Sequence, residues 1–261
     1  MPRISYPLIS VIMNCHNGDK YLKQSLKSLQ SQNYKNWELI FFDNKSNDNS
    51  RKILKSFKDN RIKYYKSENM LNLYKARNLA IKKAKGKYIS FLDTDDWWVK
   101  SKLKDQVMII QKKRVNFIYS HYFIYNQFEN TKTLNFYNKQ QSENITQSLL
   151  NSYKIGILTV MINKKVFMKK KFNEKYNIIG DFDFFIRLSL KEKFFCIEKP
   201  LAYYRVHEKN FSNKISIHLY ELETWLNKNE NYFKKLNHSL FKIKVFLYKL
   251  KIKYLLNYIF N

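Results

Sequence analysis

Tyr88-Ile89-Ser90-Phe91-Leu92-Asp93-Thr94-Asp95-Asp96-Trp97-Trp98 is the stretch on which the fold turns. A short apolar run breaks off into three carboxylates within four residues, then two tryptophans. Tyr88–Leu92 has the length and the aromatic and β-branched content of a buried strand. On an extended chain, residues i and i+2 point the same way, so Asp93 and Asp95 face one place together at the strand's carboxyl end. Open α/β sheets bind their ligands at that end. Two adjacent carboxylates repel unless a cation or a shared proton lies between them. A hard divalent ion, completed by a substrate's phosphates, suits such a pair. The alternative is a helix N-terminus, with Asp95 or Asp96 capping a helix that begins near Trp97. These residues alone leave both readings open.

Upstream, the chain alternates strand and helix. Leu8–Met13 reads as a buried strand and Asn14–Gly18 as a turn. Tyr21, Leu22, Ser25, Leu26 and Leu29 recur at helical spacing. Trp37–Phe42 is a second strand ending at Asp43, and Ile53, Leu54 and Phe57 line the next helix. Ile62–Tyr65 is a short strand. Ala76, Leu79, Ala80 and Ala84 mark a helix closed by Gly86. This order means βαβ units and an α/β fold with a mostly parallel, Rossmann-like sheet flanked by helices. Three strands end in polar residues, at Asn14–Asn17, Asp43–Ser46 and Asp93–Asp96, so one crevice collects them. Neither G-x-G-x-x-G nor G-x-x-x-x-G-K-[ST] is present, which removes the usual dinucleotide and P-loop readings.

Downstream, Val99–Lys113 reads as a helix and Phe117–Tyr125 as an aromatic strand. Gln127–Asn144 reads as irregular and Leu158–Ile162 as a strand. Asp181 opens a helix whose apolar face is Phe184, Phe185 and Leu188. Phe194–Ile197 and Ala202–Val206 read as two short strands around Pro200.

The chain has 261 residues, of which 44% are hydrophobic, enough for one large α/β domain with an appendage. Lys+Arg 49 against Asp+Glu 21 gives a net charge of +28, which favours anionic partners. Nucleic acid is not expected, because no recognition motif accompanies the charge and the acidic triplet would be unexplained. Cys15 and Cys196 make no disulfide framework. Leu8–Met13 is too short for a signal-peptide core, and no apolar stretch approaches a membrane span. The expectation is a cytoplasmic protein lying peripherally on the inner face of the cell membrane.

Five segments in order resemble the family-2 glycosyltransferases of the GT-A fold. They are Leu8–Asn17, Glu38–Ser50, Ala76–Ala80 with Gly86–Asp96, Gly180–Asp183, and Tyr203-Tyr204-Arg205-Val206-His207. The likeness runs from about residue 7 to about residue 212. It implies a glycosyltransferase domain over 1–212, with a nucleotide-binding part to about 115 and an acceptor part beyond. Residues 213–261 then form a basic, amphipathic helical extension. It implies transfer of a sugar, with inversion, from a nucleotide diphosphate (UDP being the commonest in the family) to a hydroxyl of a carbohydrate or lipid-linked acceptor. Surface polysaccharide or glycolipid synthesis is the setting it implies.

The resemblance also implies roles. Asp93-Thr94-Asp95 is the D-x-D motif that works with Mg²⁺ or Mn²⁺; Asp95 is its metal-binding member and Asp93 the one nearer the ribose. Asp43 matches the acid that reads the base, and Asn14 and Asn17 line the nucleotide pocket. Asp181 matches the catalytic base. Arg205 and His207 match a late motif near the diphosphate, with His207 at the metal. Arg77 and Lys87 add positive charge. Such roles make chemical sense: a departing diphosphate gains charge that a cation stabilises, and a hydroxyl needs a carboxylate to take its proton.

The sequence departs from the family at three places. Asn14-Cys15-His16-Asn17 stands for the usual Pro-Thr-Tyr-Asn. Asn44-Lys45 replaces Asp-Gly, and Gly180 replaces the Glu before the base. A nucleotide-sugar pyrophosphorylase shares the sheet and acidic site, but needs a Gly-rich, Arg-containing loop where Asn14–Gly18 stands. A non-catalytic relative is the other alternative. Asp183 reads as a partner of Arg187 at i+4.

From residue 231 onward there is no acid, while Lys234, Lys235, Lys242, Lys244, Lys249, Lys251 and Lys253 are present. Leu236, Leu240, Ile243, Leu247, Leu250 and Tyr254 make one helix face, and Phe241, Val245, Tyr248 and Ile252 make another roughly opposite. One face packs on a neighbour. The other meets an anionic membrane surface, or a second copy of the chain as a homo-oligomer contact.

Overall fold

The computed structural model describes residues 6–135 and 145–259. Along the chain lie β1 (Ile9–Cys15), α1 (Asp19–Gln30), β2 (Trp37–Asp43), α2 (Ser50–Ser56), β3 (Ile62–Lys66), α3 (Leu73–Lys83) and β4 (Tyr88–Phe91). Then come β5 (Trp97–Trp98), α4 (Lys102–Lys113), β6 (Phe117–Asn126), β7 (Thr131–Asn135), α5 (Ile145–Asn151), β8 (Met161–Asn163) and α6 (Lys164–Lys170). α7 (Gly180–Ser189), β9 (Phe194–Val206), α8 (Ile215–Lys235) and α9 (Phe241–Ile259) complete it.

One mixed sheet carries the molecule in the order β3-β2-β1-β4-β8-β6-β9-β5, with β7 hairpinned onto β6. The first four strands are parallel, as the βαβ alternation requires. β8 runs antiparallel to β4 and β6, β9 parallel to β6, and β5 antiparallel to β9. Strand alternation sorts the core into two layers. Ile9, Val11 and Met13 meet Leu22, Leu26 and Leu29 of α1 on one face. Ile12, Ile40 and Phe42 meet Ala76 and Ala80 of α3 on the other. That second layer extends through Phe184, Phe185 and Trp225 to Leu240, Ile243, Leu247 and Leu250 of the C-terminal helices.

Several expectations change. Trp97–Trp98 is a strand edge on β9, and the next helix begins only at Lys102. Val99 N–H extends that edge by donating to Leu201 O, which rules out helix there. Leu158–Ile162 is a 3₁₀ turn over Ile157–Thr159 followed by the short β8. The two short strands around Pro200 are one strand, β9, whose ladder shifts register beside the His121–Pro200 pair. Proline has no N–H to give a ladder, so the slip falls there. Of Gln127–Asn144, residues 131–135 are β7, and 136–144 lie outside the described residues. Gly86 is not a left-handed cap: α3 ends at Lys83, and Ala84 leaves it extended. A Cβ on Gly86 would lie 2.6 Å from Ser10 N and 2.7 Å from Leu8 O, so backbone proximity dictates the glycine.

Candidate active site

The carboxyl ends of β1, β2 and β4 lie side by side, and the polar residues after each strand face one crevice. The turn after β4 is held from below by Ser25 of α1, whose Oγ lies 3.2 Å from Asp93 O and 2.9 Å from Thr94 O and also meets Asp96 O. The three carboxylates of this turn have three different environments. Asp93 accepts both its bonds from Arg77 Nη2, at 2.7 and 2.9 Å. Asp95 Oδ2 meets His207 Nε2 at 2.9 Å. Asp96 is 2% exposed and turns inward to accept Arg205 N–H at 3.0 Å. Burial, then the neighbouring Asp95 and Asp93, push the Asp96 carboxyl well above the usual range.

Arg205 ties β9 to this turn. Its Nε donates to Asp95 O at 2.9 Å and its Nη2 to Gln24 Oε1. Its guanidinium is sandwiched between Tyr21, at 4.5 Å from the ring centre, and Trp97, at 4.6 Å. Trp97 in turn stacks on Tyr203 at 4.8 Å, making a rim, whereas Trp98 is core and donates to Leu158 O.

At β1, Asn14 is 9% exposed and neither its Oδ1 nor its Nδ2 has a hydrogen-bond partner. A buried amide without partners is costly, and Asn14 leaves both a donor and an acceptor open to a polar ligand. Asn17 takes a left-handed conformation (φ 53°) and accepts Asn47 N–H at 2.9 Å, pinning the loop after β2. Asp43 is buried and engaged within the protein: it accepts Ser46 N–H at 2.7 Å and Tyr64 O–H at 2.7 Å. Asn44 clamps Leu71 at both ends, its Nδ2 donating to Leu71 O at 2.8 Å and its Oδ1 accepting Leu71 N–H at 3.0 Å. The amide thus does what a carboxylate there would not, since it must both donate and accept. Lys87 does not join the site; it precedes β4, at the opposite edge of the sheet from Asp93.

Asp181 sits in the first turn of α7. Its Oδ1 accepts Tyr74 O–H at 2.9 Å and Phe182 N–H at 2.9 Å, and its Oδ2 accepts Tyr153 O–H at 3.0 Å. With two donors on Oδ1 and one on Oδ2, the free lone pair that can take a proton is on Oδ2. Burial raises the carboxyl above 3.8, while Arg77 and the hydroxyl donors oppose the rise. Arg77 acts electrostatically on both Asp93 and Asp181, so the two carboxylates share one buried cation. Gly180 makes this arrangement possible. A Cβ there would lie 2.3 Å from Tyr74 Cδ2, so the Tyr74 ring fills the space a side chain at 180 would need. The loop before α7 is braced by Glu221 of α8, whose carboxylate accepts N–H bonds from Asn177, Ile178 and Ile179 at 2.6, 2.9 and 3.1 Å. Asp183 is structural, as its spacing implies: it accepts Arg187 Nε at 2.9 Å and Trp225 Nε1 at 3.1 Å. The residues that sequence reasoning missed are Ser25, Tyr74, Tyr153 and Glu221. No local pattern ties any of them to the site; each acts on a partner distant in the chain.

The donor set fits a divalent ion in part. Asp95 Oδ2 and His207 Nε2 converge, but among the described residues no group of three or more His, Cys, Asp or Glu side chains does. Asp93 is occupied by Arg77. Two protein ligands with diphosphate oxygens and water filling the rest is an ordinary Mg²⁺ or Mn²⁺ arrangement. His207 Nδ1 accepts Lys209 N–H at 3.2 Å, which leaves the ring hydrogen on Nε2. Metal binding at Nε2 requires that hydrogen to move to Nδ1, which gives up the Lys209 bond.

An open, mostly parallel sheet with polar turns gathered at its carboxyl ends is an α/β ligand-binding layout. The chain belongs to glycosyl transferase family 2: the model of that family matches residues 10–194. It is 37% identical over 158 residues, 60% of this chain and 60% of the other, to the Escherichia coli UDP-Glc:α-D-GlcNAc-diphosphoundecaprenol β-1,3-glucosyltransferase WfgD. Its fold is similar to Staphylococcus aureus TarS residues 1–349 in complex with UDP-GlcNAc, with a TM-score of 0.69 and 20% identity over 84% of this chain and 66% of that one. It is also similar to the Pyrobaculum calidifontis mannosyltransferase PcManGT in complex with GDP-Man and Mn²⁺, with a TM-score of 0.63 and 12% identity over 92% of this chain and 70% of that one. The two structural likenesses show the fold alone. The chain spans about 60% of the length of WfgD. Among the described residues no helix is long and apolar enough to cross a membrane.

Proposed function

We propose that the protein transfers a hexose from a UDP-sugar, with inversion, to a hydroxyl of a lipid-linked saccharide in cell-surface polysaccharide or glycolipid synthesis. One observation carries this reading: Asp181, a carboxylate with raised proton affinity and one free lone pair, shares the buried cation Arg77 with Asp93 of the acidic turn. A base for the acceptor and an anchor for the donor therefore occupy one crevice. The UDP-sugar specificity of WfgD supports the choice of nucleotide, and the saccharide on a diphosphate lipid follows the acceptor of that relative.

In this reading Asn14 and Asn17 line the nucleotide pocket, with Asp43 shaping the loop that covers the base. Arg77 holds Asp93 for the ribose. Asp95 and His207 would hold the divalent ion, which when bound neutralises charge building on the departing diphosphate. Arg205 fixes the acidic turn from the opposite side. Asp181 Oδ2 takes the proton of the acceptor hydroxyl as that oxygen bonds to the anomeric carbon; the glycosidic electron pair leaves with the diphosphate. A carboxylate raised above its usual range is better matched to this transfer than an ordinary one. Tyr74 and Tyr153 keep it ionised and aimed.

The test is transfer from UDP-glucose, UDP-GlcNAc and GDP-mannose to a GlcNAc-diphosphate-lipid analogue, with product anomeric configuration read by NMR. A β-linked product from an α-linked UDP donor, lost in Asp181→Asn, is expected. No transfer from any UDP-sugar, or an α-linked product, sinks the reading.

A further inference from the structure

α9 has two apolar faces, and only one is used. Leu240, Ile243, Leu247 and Leu250 are buried against the body. At about 100° per residue, Phe241, Val245, Tyr248, Ile252, Leu255 and Leu256 fall on the opposite side. They are exposed, Phe241 by 64%, Tyr248 by 66% and Leu255 by 56%. A run of large apolar side chains along a whole helix in water is not how a monomer's surface is ordinarily built.

The charges say what covers it. Lys242, Lys249 and Lys253 fall along one flank of this stripe; Lys244 and Lys251 fall along the other, tethered to Glu230 and Glu223 of α8. No acid occurs from residue 231 onward. A second copy laid face to face would set lysine rows against lysine rows with no carboxylate on either α9 to answer them. An anionic bilayer answers both parts: the apolar stripe enters the headgroup–acyl boundary while the flanking ammonium groups rise to the phosphates.

We propose that α9 is an interfacial helix that docks the protein on an anionic lipid bilayer through Phe241, Val245, Tyr248, Ile252, Leu255 and Leu256, with Lys242, Lys249 and Lys253 on the headgroups. The docked helix belongs to the same packed unit as the acceptor end of the crevice. α9 packs on α5 and α8; Tyr153 follows α5 by two residues, and α8 supplies the Glu221 brace to the loop before Asp181. Docking does not depend on the transferase reading and is measured without turnover.

Partition of the full chain is measured on vesicles of phosphatidylcholine alone and with phosphatidylglycerol, for wild type, for Tyr248→Ser/Ile252→Ser, and for Lys242→Gln/Lys249→Gln/Lys253→Gln. The serine pair keeps every charge and alters only exposed positions, so the fold and the bulk positive charge stay constant. Expected is binding to phosphatidylglycerol vesicles that falls at least about tenfold in the serine pair and also falls in the lysine triple, with little binding to phosphatidylcholine alone. Equal binding by wild type and the serine pair would mean that bulk charge alone acts, and would overturn the proposal. So would no vesicle binding, or a concentration-dependent dimer that the serine pair dissolves.

Discussion

Removing the tyrosine hydroxyls from Asp181 should move the acid limb of the pH–rate profile upward. Both donors stabilise the ionised carboxylate, so losing either favours the protonated form and raises its pKa. A hydrogen bond to a charged group contributes about 1.5–3 kcal/mol, and a pKa unit corresponds to about 1.4 kcal/mol. Tyr74 is buried, so no water replaces its hydroxyl; its hydroxyl oxygen, however, also lies 3.2 Å from Ile178 O, a second acceptor for the same proton. Tyr74→Phe is therefore placed at the low end, about one pH unit upward. Tyr153 is half-buried and water can substitute, so Tyr153→Phe should give roughly half that. The assay is kcat/KM for sugar transfer from pH 4 to 9 under saturating metal, with the high-pH plateau as internal control. Both variants should approach the wild-type plateau well above the limb, because the base itself is retained. A plateau lost at all pH values with the limb unmoved would mean that the tyrosines merely pack the loop. A limb shifted downward would contradict the electrostatics outright. A stability readout gives an independent check of sign. The folded carboxyl is raised, so the folded state binds the proton more tightly than the unfolded chain. Stability should fall as pH rises from about 3.8 through the folded pKa, and Asp181→Asn should abolish that fall.

Three further outcomes follow from neighbouring contacts. Gly180→Ala pushes a methyl into the Tyr74 ring; it should cost about 1–3 kcal/mol by urea unfolding and reproduce the Tyr74→Phe limb shift, because the ring must move off Asp181. Glu221→Gln removes the charge from a buried carboxylate that accepts three N–H bonds and should lower stability by about 2 kcal/mol, with hydrogen exchange accelerated at Ile178 and Ile179. Lys102 is buried without a carboxylate, bonded to Ser90 Oγ and Gln106 Oε1, and burial depresses its pKa well below 10.5. The unfolded chain binds that proton more tightly, so stability should rise with pH between the depressed folded value and 10.5; the slope should vanish in Lys102→Met.

What the sequence showed and what it hid divide along the distance between partners. β1, β2 and β4 announce themselves by short apolar runs that stop at Asn14, Asp43 and Asp93, and their adjacency follows from βαβ topology. Asp95 and Asp181 were singled out because short motifs surround them. Trp97 and Trp98 were ambiguous, since an acidic turn before them reads as a helix cap as readily as a strand end; β9, more than a hundred residues on, decides it. Tyr74, Tyr153 and Glu221 were invisible because each carries its meaning only beside a partner 107, 28 or 42 residues away in the chain. Gly180 looked like the loss of an acid. The Tyr74 ring occupies the space a side chain at 180 would need, and its hydroxyl bonds Asp181 instead.

Binding of a nucleotide diphosphate in the crevice through Asp95 and a divalent ion is measured directly by ligand-dependent stability. Thermal stability is measured with UDP, GDP, dTDP and CDP, each with and without Mn²⁺, for wild type and Asp95→Ala. At a hundredfold excess over the dissociation constant, a ligand specific for the folded state adds about 2.7 kcal/mol. UDP should stabilise wild type by that order only with Mn²⁺, and Asp95→Ala should lose the effect. Stabilisation that is equal without metal, or that survives in Asp95→Ala, would contradict binding through Asp95 and the ion.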